Sequence, residues 1–137
     1  VVCTLSENRL PASDSAPLDK SGREKLAALT KLRQEKLKAA EERYEAVEVA
    51  FVAGVLKISD VYAASRDWKD AAYESATTKK DRKTALEKHH DRIAELYKKT
   101  HVLAAANALG GEADKDSSAR FWELEAKIWL LEEETKP

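Results

Sequence analysis

The residues of this chain best placed to do chemistry are its three histidines and three tryptophans. Glu87-Lys-His-His90 contains one Glu-x-x-His unit, the i, i+3 spacing that sets a carboxylate and an imidazole on one face of a helix. Carboxylate-bridged di-metal bundles need two such units and two further inward glutamates. Glu41, Glu42, Glu45 or Glu48 offer carboxylates, but no second unit supplies the missing imidazole. His90 falls on an apolar stripe, where burial would depress its pKa and make packing sensitive to acid. Trp68, Trp122 and Trp129 invite reading as an aromatic platform, yet each falls on a stripe that faces a helical interior, where large aromatics dominate the core. Nucleophilic catalysis has no candidate. Cys3 is close to the N-terminus, no serine sits in a Gly-x-Ser-x-Gly elbow, and Gly110-Gly111 lacks the Lys-Ser/Thr of a phosphate loop. The chain reads as a non-enzyme with no catalytic, cofactor-binding or metal-ligating residue.

The elements that carry these side chains follow from composition and period. The 137 residues are enough for one domain; with 36% charged residues, 4 Gly and 3 Pro they favour long helices over a sheet. Residues 1–20 mix Ser, Pro and Asp without periodicity and read as a flexible tail, leaving 21–137 as the bundle domain. Leu37, Ala40, Tyr44, Val47 and Phe51 then recur at spacings of three and four on helix 1, from near Gly22 to Ala53. Gly54 suits a left-handed helix stop, with Ser59 or Asp60 capping helix 2, which ends near Ala76. Thr78 and Asp81 have capping-box spacing before helix 3, which places Leu86, His90, Ile93, Tyr97, Thr100 and Ala104 inward and stops at Leu109-Gly110-Gly111. Helix 4 carries two neighbouring stripes, Phe121/Leu124/Ile128/Leu131 and Trp122/Ala126/Trp129, a face broad enough for two partner helices or for one helix and another subunit.

At an offset of 54, Asp60, Arg66, Trp68 and Ala72 match Asp114, Arg120, Trp122 and Ala126. The chain is therefore expected to be all-α: an antiparallel up-down four-helix bundle made of two repeated hairpins, with helices 1 and 3 long and helices 2 and 4 shorter. The run Gly54-Val-Leu-Lys-Ile-Ser-Asp60-Val-Tyr-Ala-Ala-Ser-Arg-Asp-Trp-Lys-Asp-Ala71 resembles the hairpin repeat of outer-membrane efflux proteins of the TolC type. Ala64-Ser-Arg-Asp-Trp68, Lys79-Lys-Asp-Arg82, Leu86-Glu-Lys-His89 and Leu124-Glu-Ala-Lys-Ile-Trp-Leu130 are more similar still to a group of uncharacterised planctomycete hairpin proteins. The resemblance implies an exported helical module. It does not carry over a channel, because the chain has no strand-like alternation for a barrel.

A net charge of −1, from 24 basic and 25 acidic residues, provides no field to gather nucleic acid. No apolar run approaches the roughly 20 residues of a membrane span. Cys3 has no internal partner, and Val1-Val2 ahead of it does not match a processed lipoprotein, so a lipid anchor is not expected. The absence of methionine implies a removed leader or a fragment, which suits a periplasmic or extracellular protein. The leading expectation is a scaffold or interaction protein of the cell envelope or exterior, binding itself or a protein partner through Phe121, Leu124, Ile128 and Leu131 and through Leu26, Leu29 and Leu32 in the overhang of helix 1. The alternatives are a small-molecule or metal-binding bundle, with a pocket lined by Trp68, Trp122, His90 and Tyr97, or an adaptor hairpin docking on an export channel through its turns.

Overall fold

Capping groups and one glycine set the helix limits. In a computed structural model of the chain, the described backbone covers residues 17–105 and 113–137, with side chains described for 17–102 and 118–137. It forms four helices, α1 (Lys20–Val52), α2 (Ile58–Ser75), α3 (Lys79–Ala105) and α4 (Ala113–Thr135), and no strand among the described residues. The fold is the expected all-α bundle, with α1 and α3 (33 and 27 residues) longer than α2 and α4 (18 and 23). Residues 1–16 of the expected tail and the Gly110-Gly111 stop lie outside the described residues.

The Asp19 carboxylate accepts the Gly22 N–H at 2.6 Å, so α1 begins two residues ahead of the expected start. At its other end Gly54 has φ +79°. The Gly54 N–H donates to the Phe51 carbonyl and the Val55 N–H to the Ala50 carbonyl, each at 2.9 Å, closing the last turn as a Schellman motif. Nothing stands within 4 Å of where a Cβ on Gly54 would sit, so the dihedral alone demands glycine. Gly54→Ala should therefore cost about 1–2 kcal/mol in a urea titration, with an unchanged slope.

The expected Ser59 cap on α2 is not used. Lys57 holds the cap position, and Asp60, inside the first turn, reaches back to accept the Lys57 N–H at 2.9 Å; this satisfies a free amide without a capping side chain. Before α3, Thr78 accepts the Asp81 N–H at 3.1 Å, as its spacing predicts.

Ion pairs between chain-distant residues fix the directions. Lys36–Glu74 (2.9 Å) and Arg43–Asp67 (2.8 Å) lay α2 antiparallel to α1, and Arg82–Glu133 (3.0 Å) lays the end of α4 against the start of α3. α2 packs on all three other helices, whereas α1 makes no close backbone approach to α3 or α4 among the described residues. Side chains span the gap to α3: Lys99 meets Glu48 at 2.8 Å, and the Arg92 guanidinium lies 5.4 Å from the Tyr44 ring centre.

The core joins Tyr44 and Phe51 of α1, Ile58, Val61 and Ala64 of α2, Ile93 and Leu96 of α3, and Ala119 of α4. The α1 stripe is the expected one, with Leu37, Ala40 and Val47 half-buried beside Tyr44 and Phe51. The α3 stripe is the expected one at Leu86, Ile93 and Thr100 and shifts by one residue at two places, with Ala104 outside the described side chains. His89 and Leu96 are buried, while His90 and Tyr97 are half-buried. Leu86, His89, Ile93, Leu96 and Thr100 keep the same three-and-four spacing, and they bury a leucine where the other stripe would bury a tyrosine whose hydroxyl needs a polar partner.

Candidate functional site

α4 is apolar on opposite sides. At 100° per residue the row Ala119, Trp122, Ala126, Trp129, Glu133 and the row Phe121, Leu124, Ile128, Leu131 point nearly opposite ways, so the two expected stripes lie back to back rather than side by side. The first row packs inward, with Ala119, Ala126 and Glu133 buried. Trp122 stacks on Tyr62 of α2 with ring centres 4.4 Å apart and planes 9° from parallel. The Lys69 ammonium sits 3.9 Å from the centre of the Trp129 ring. The Tyr62 hydroxyl donates to Glu125, and burial followed by that carboxylate pushes its pKa up to about 12.

The second row has no described partner. Phe121, Leu124, Ile128 and Leu131 are 64%, 45%, 54% and 60% exposed. The first turns of α1 are equally bare: Ser75 at the end of α2 donates to the Arg33 carbonyl at 3.3 Å, so residues 20–32 extend past α2, and Leu26, Leu29 and Leu32 stand exposed on them. The structure therefore leaves all seven residues expected to bind a partner in solvent, on two separate helices.

Two buried polar clusters hold the bundle together, and neither was evident from spacing. Ser65, fully buried on α2, has its hydroxyl 2.8 Å from His89 Nδ1 and accepts from Arg92 Nε at 2.8 Å, while Arg92 also donates to the Ser65 carbonyl at 3.1 Å. A guanidinium only donates, so Ser65 can direct its own hydrogen to the neutral imidazole. Burial, then the Arg92 and Lys69 charges, push the His89 pKa down to about 3. The Arg92 plane covers Trp68 at 4.1 Å. A serine beside a histidine has the composition of a nucleophile and its base, but no solvent reaches either side chain and the serine oxygen is already engaged. In the second cluster Glu133 accepts from the Tyr73 hydroxyl (2.7 Å), Arg82 (3.0 Å) and Lys136 (3.0 Å), and these bonds, Tyr73 first, hold its carboxyl down to about 2.

The four residues proposed for a ligand pocket are spread out. Trp68 lines an open groove of about 560 Å³ between α1 and α3 with Tyr44, Glu45, Glu48, Arg92 and Glu95, whereas Trp122 stacks on Tyr62, His90 pairs with Asp91 at 3.7 Å, and Tyr97 lies against His101. Among the described residues no three His, Cys, Asp or Glu side chains gather as metal ligands, and no helix is long and apolar enough to cross a membrane.

No family model, curated protein or solved structure matches this chain. Its own surface is therefore what speaks for its function, and the outer row of α4 is one of the exposed apolar rows on it.

Proposed function

We propose that the protein is a non-enzymatic assembly module of the cell envelope or exterior, periplasmic or extracellular, which associates with itself or with a protein partner through its exposed apolar helix faces. The observation that carries this reading is the outer row of α4, four large apolar side chains at heptad spacing with roughly half their surface in water. A helix whose inner face already fills a core has no folding reason to keep that row apolar. The buried Ser65–His89–Arg92 cluster supports a structural role for the polar residues that could otherwise be read as catalytic. Placement outside the cytoplasm rests on the resemblance of the Gly54–Ala71 hairpin to TolC-type repeats.

A photo-crosslinking residue at position 128, in cells producing the full chain, tests the reading. Adducts heavier than the 15.3 kDa chain are expected there and not at the exposed polar position Lys38. Equal labelling at both positions would defeat the proposal.

A further inference from the structure

We infer that the projecting start of α1 docks in the groove between α1 and α3 of a second copy, with the two α1 helices antiparallel about a twofold axis near Glu35 and Lys36. This rests on the assembly reading for Leu26 and Leu29 and makes no use of the outer row of α4. The groove is held open. Tyr44 and Trp68 have ring centres 5.4 Å apart and Arg92 lies 4.1 Å from the Trp68 ring, so bulky side chains keep α1 and α3 from close backbone approach among the described residues. The groove is also acidic. Glu41, Glu45 and Glu48 of α1 and Asp91 and Glu95 of α3 line it against Lys88 and Arg92. Arg92 is bonded to Ser65 and Glu48 meets Lys99, which leaves Glu41, Glu45 and Glu95 without an ion pair among the described residues. The α1–α2 and α3–α4 seams are instead closed by opposite charges, Lys36–Glu74 and Arg43–Asp67 on one and Arg82–Glu133 and Lys83–Glu134 on the other. Carboxylates at i, i+4 repel, so the groove costs stability until a basic helix lies in it.

The start of α1 is such a helix. Residues 20–32 are exposed but for Gly22 and carry Lys20, Arg23, Lys25 and Lys31 against Glu24. Lys20, Arg23 and Lys25 pair with no acid among the described residues, and Lys31 reaches only Glu35, at 3.9 Å. At 100° per residue Arg23, Ala27 and Thr30 share an arc of about 60° with Glu41, Glu45 and Glu48 and repeat their spacing of four and three. Set antiparallel, Arg23 meets Glu48, Ala27 meets Glu45 and Thr30 meets Glu41, while Glu24 points about 90° away. Leu26 and Leu29 lie about five helical turns ahead of Tyr44 and Val47, on the same line of α1. An axis normal to both α1 helices keeps that line on the α2 side, so the two leucines turn toward the α3 wall of the other copy.

The groove cannot be filled by its own chain's α1 start, because its wall and that start belong to one unbroken helix. For the same reason a single antiparallel contact fills the grooves of both copies at once, over about 45 Å of α1 in each, and the pair closes on itself. It also packs residues 20–32, a length of helix that is marginal in water without a packed face.

Light scattering on the full chain with Cys3→Ser should give twice 15.3 kDa. Arg23→Glu, Leu29→Glu or Glu45→Lys should each return 15.3 kDa with unchanged far-ultraviolet circular dichroism, whereas Glu132→Lys on α4 should leave the pair intact. Added salt should weaken the pair. In the Cys3→Ser background, Ala27→Cys mixed with Glu45→Cys should oxidise to a disulfide-linked pair, and Ala27→Cys alone should not. A mass of 15.3 kDa at every concentration up to roughly 100 μM, or a pair that survives both Arg23→Glu and Glu45→Lys, overturns the inference. A monomeric chain that crosslinks from position 128 to a different protein would remove self-pairing and leave assembly standing. A pair formed without adducts at position 128 would keep the α1 contact and remove the outer row of α4. A monomer with no crosslink would remove both.

Discussion

Ile93→Ala should lower the unfolding free energy by about 3–4 kcal/mol, while Ile128→Ala in dilute solution should change it by less than about 0.5 kcal/mol. The two substitutions delete the same atoms from helices of the same bundle, so intrinsic helix preference cancels between them. What differs is surroundings. Ile93 is 1% exposed and packs in a cluster with Val61, Ala64, Leu96 and Ala119, so alanine there loses both transfer free energy and neighbours that cannot close the gap. Ile128 is 54% exposed and faces away from every described helix. Against a total stability of about 5–15 kcal/mol for a domain of this size, the first change brings the chain toward the unfolding threshold. Urea titrations at low micromolar protein measure both. Equal losses would mean that α4 does not present the face described.

The same two isoleucines show what was legible in the sequence. Both sit at three-and-four spacing among apolar neighbours, and the pattern assigns each to an apolar face without saying what covers that face. The fold class, the Gly54 stop and the Thr78 cap were legible because each depends on contacts within a few residues. The order of burial on α3 was not. Stripes through His89 and Leu96 or through His90 and Tyr97 fit the period equally well, and the choice belongs to α2 and α4, whose packing the local sequence does not encode. The Ser65–His89–Arg92 cluster was hidden for the same reason, since its members come from two helices and become partners only when those helices meet. Leu96 and Tyr97 held the one available clue: of the two, the residue without a hydroxyl is the cheaper to bury. For the partner-binding residues, periodicity finds the row on α4, and at 100° per residue the same spacing sets it nearly opposite the core row, so the side-by-side expectation fails on helix geometry alone.

His89 gives the second large effect, and its direction follows from which state holds the proton. Its pKa is about 3 in the folded chain and 6.5 as an ordinary imidazole, so below pH 6.5 the unfolded chain binds a proton that the folded chain refuses. Stability should therefore fall as the pH drops through 6.5, by about 1.4 kcal/mol per pH unit, and continue to fall until the folded form protonates near pH 3. Burial and the Arg92, Lys69 and His90 charges oppose a second positive charge, the hydrogen bond with Ser65 favours it without outweighing them, and the Tyr62 and Trp129 rings lie 6.3 and 5.8 Å away. Glu133 contributes with the same sign in a lower window. Its folded pKa of about 2 lies below the ordinary 4.5, so its stabilisation is complete above pH 4.5 and lost on acidification toward 2. From pH 6.5 to 4.5 the His89 contribution is worth roughly 2 kcal/mol. His89→Gln, which keeps an acceptor for Ser65 and does not titrate, should flatten the denaturation free energy over that interval and leave the fall below pH 4.5 in place. A His89→Gln profile that drops as steeply as the parent between pH 6.5 and 4.5 would mean that the imidazole is not held neutral between Ser65 and Arg92.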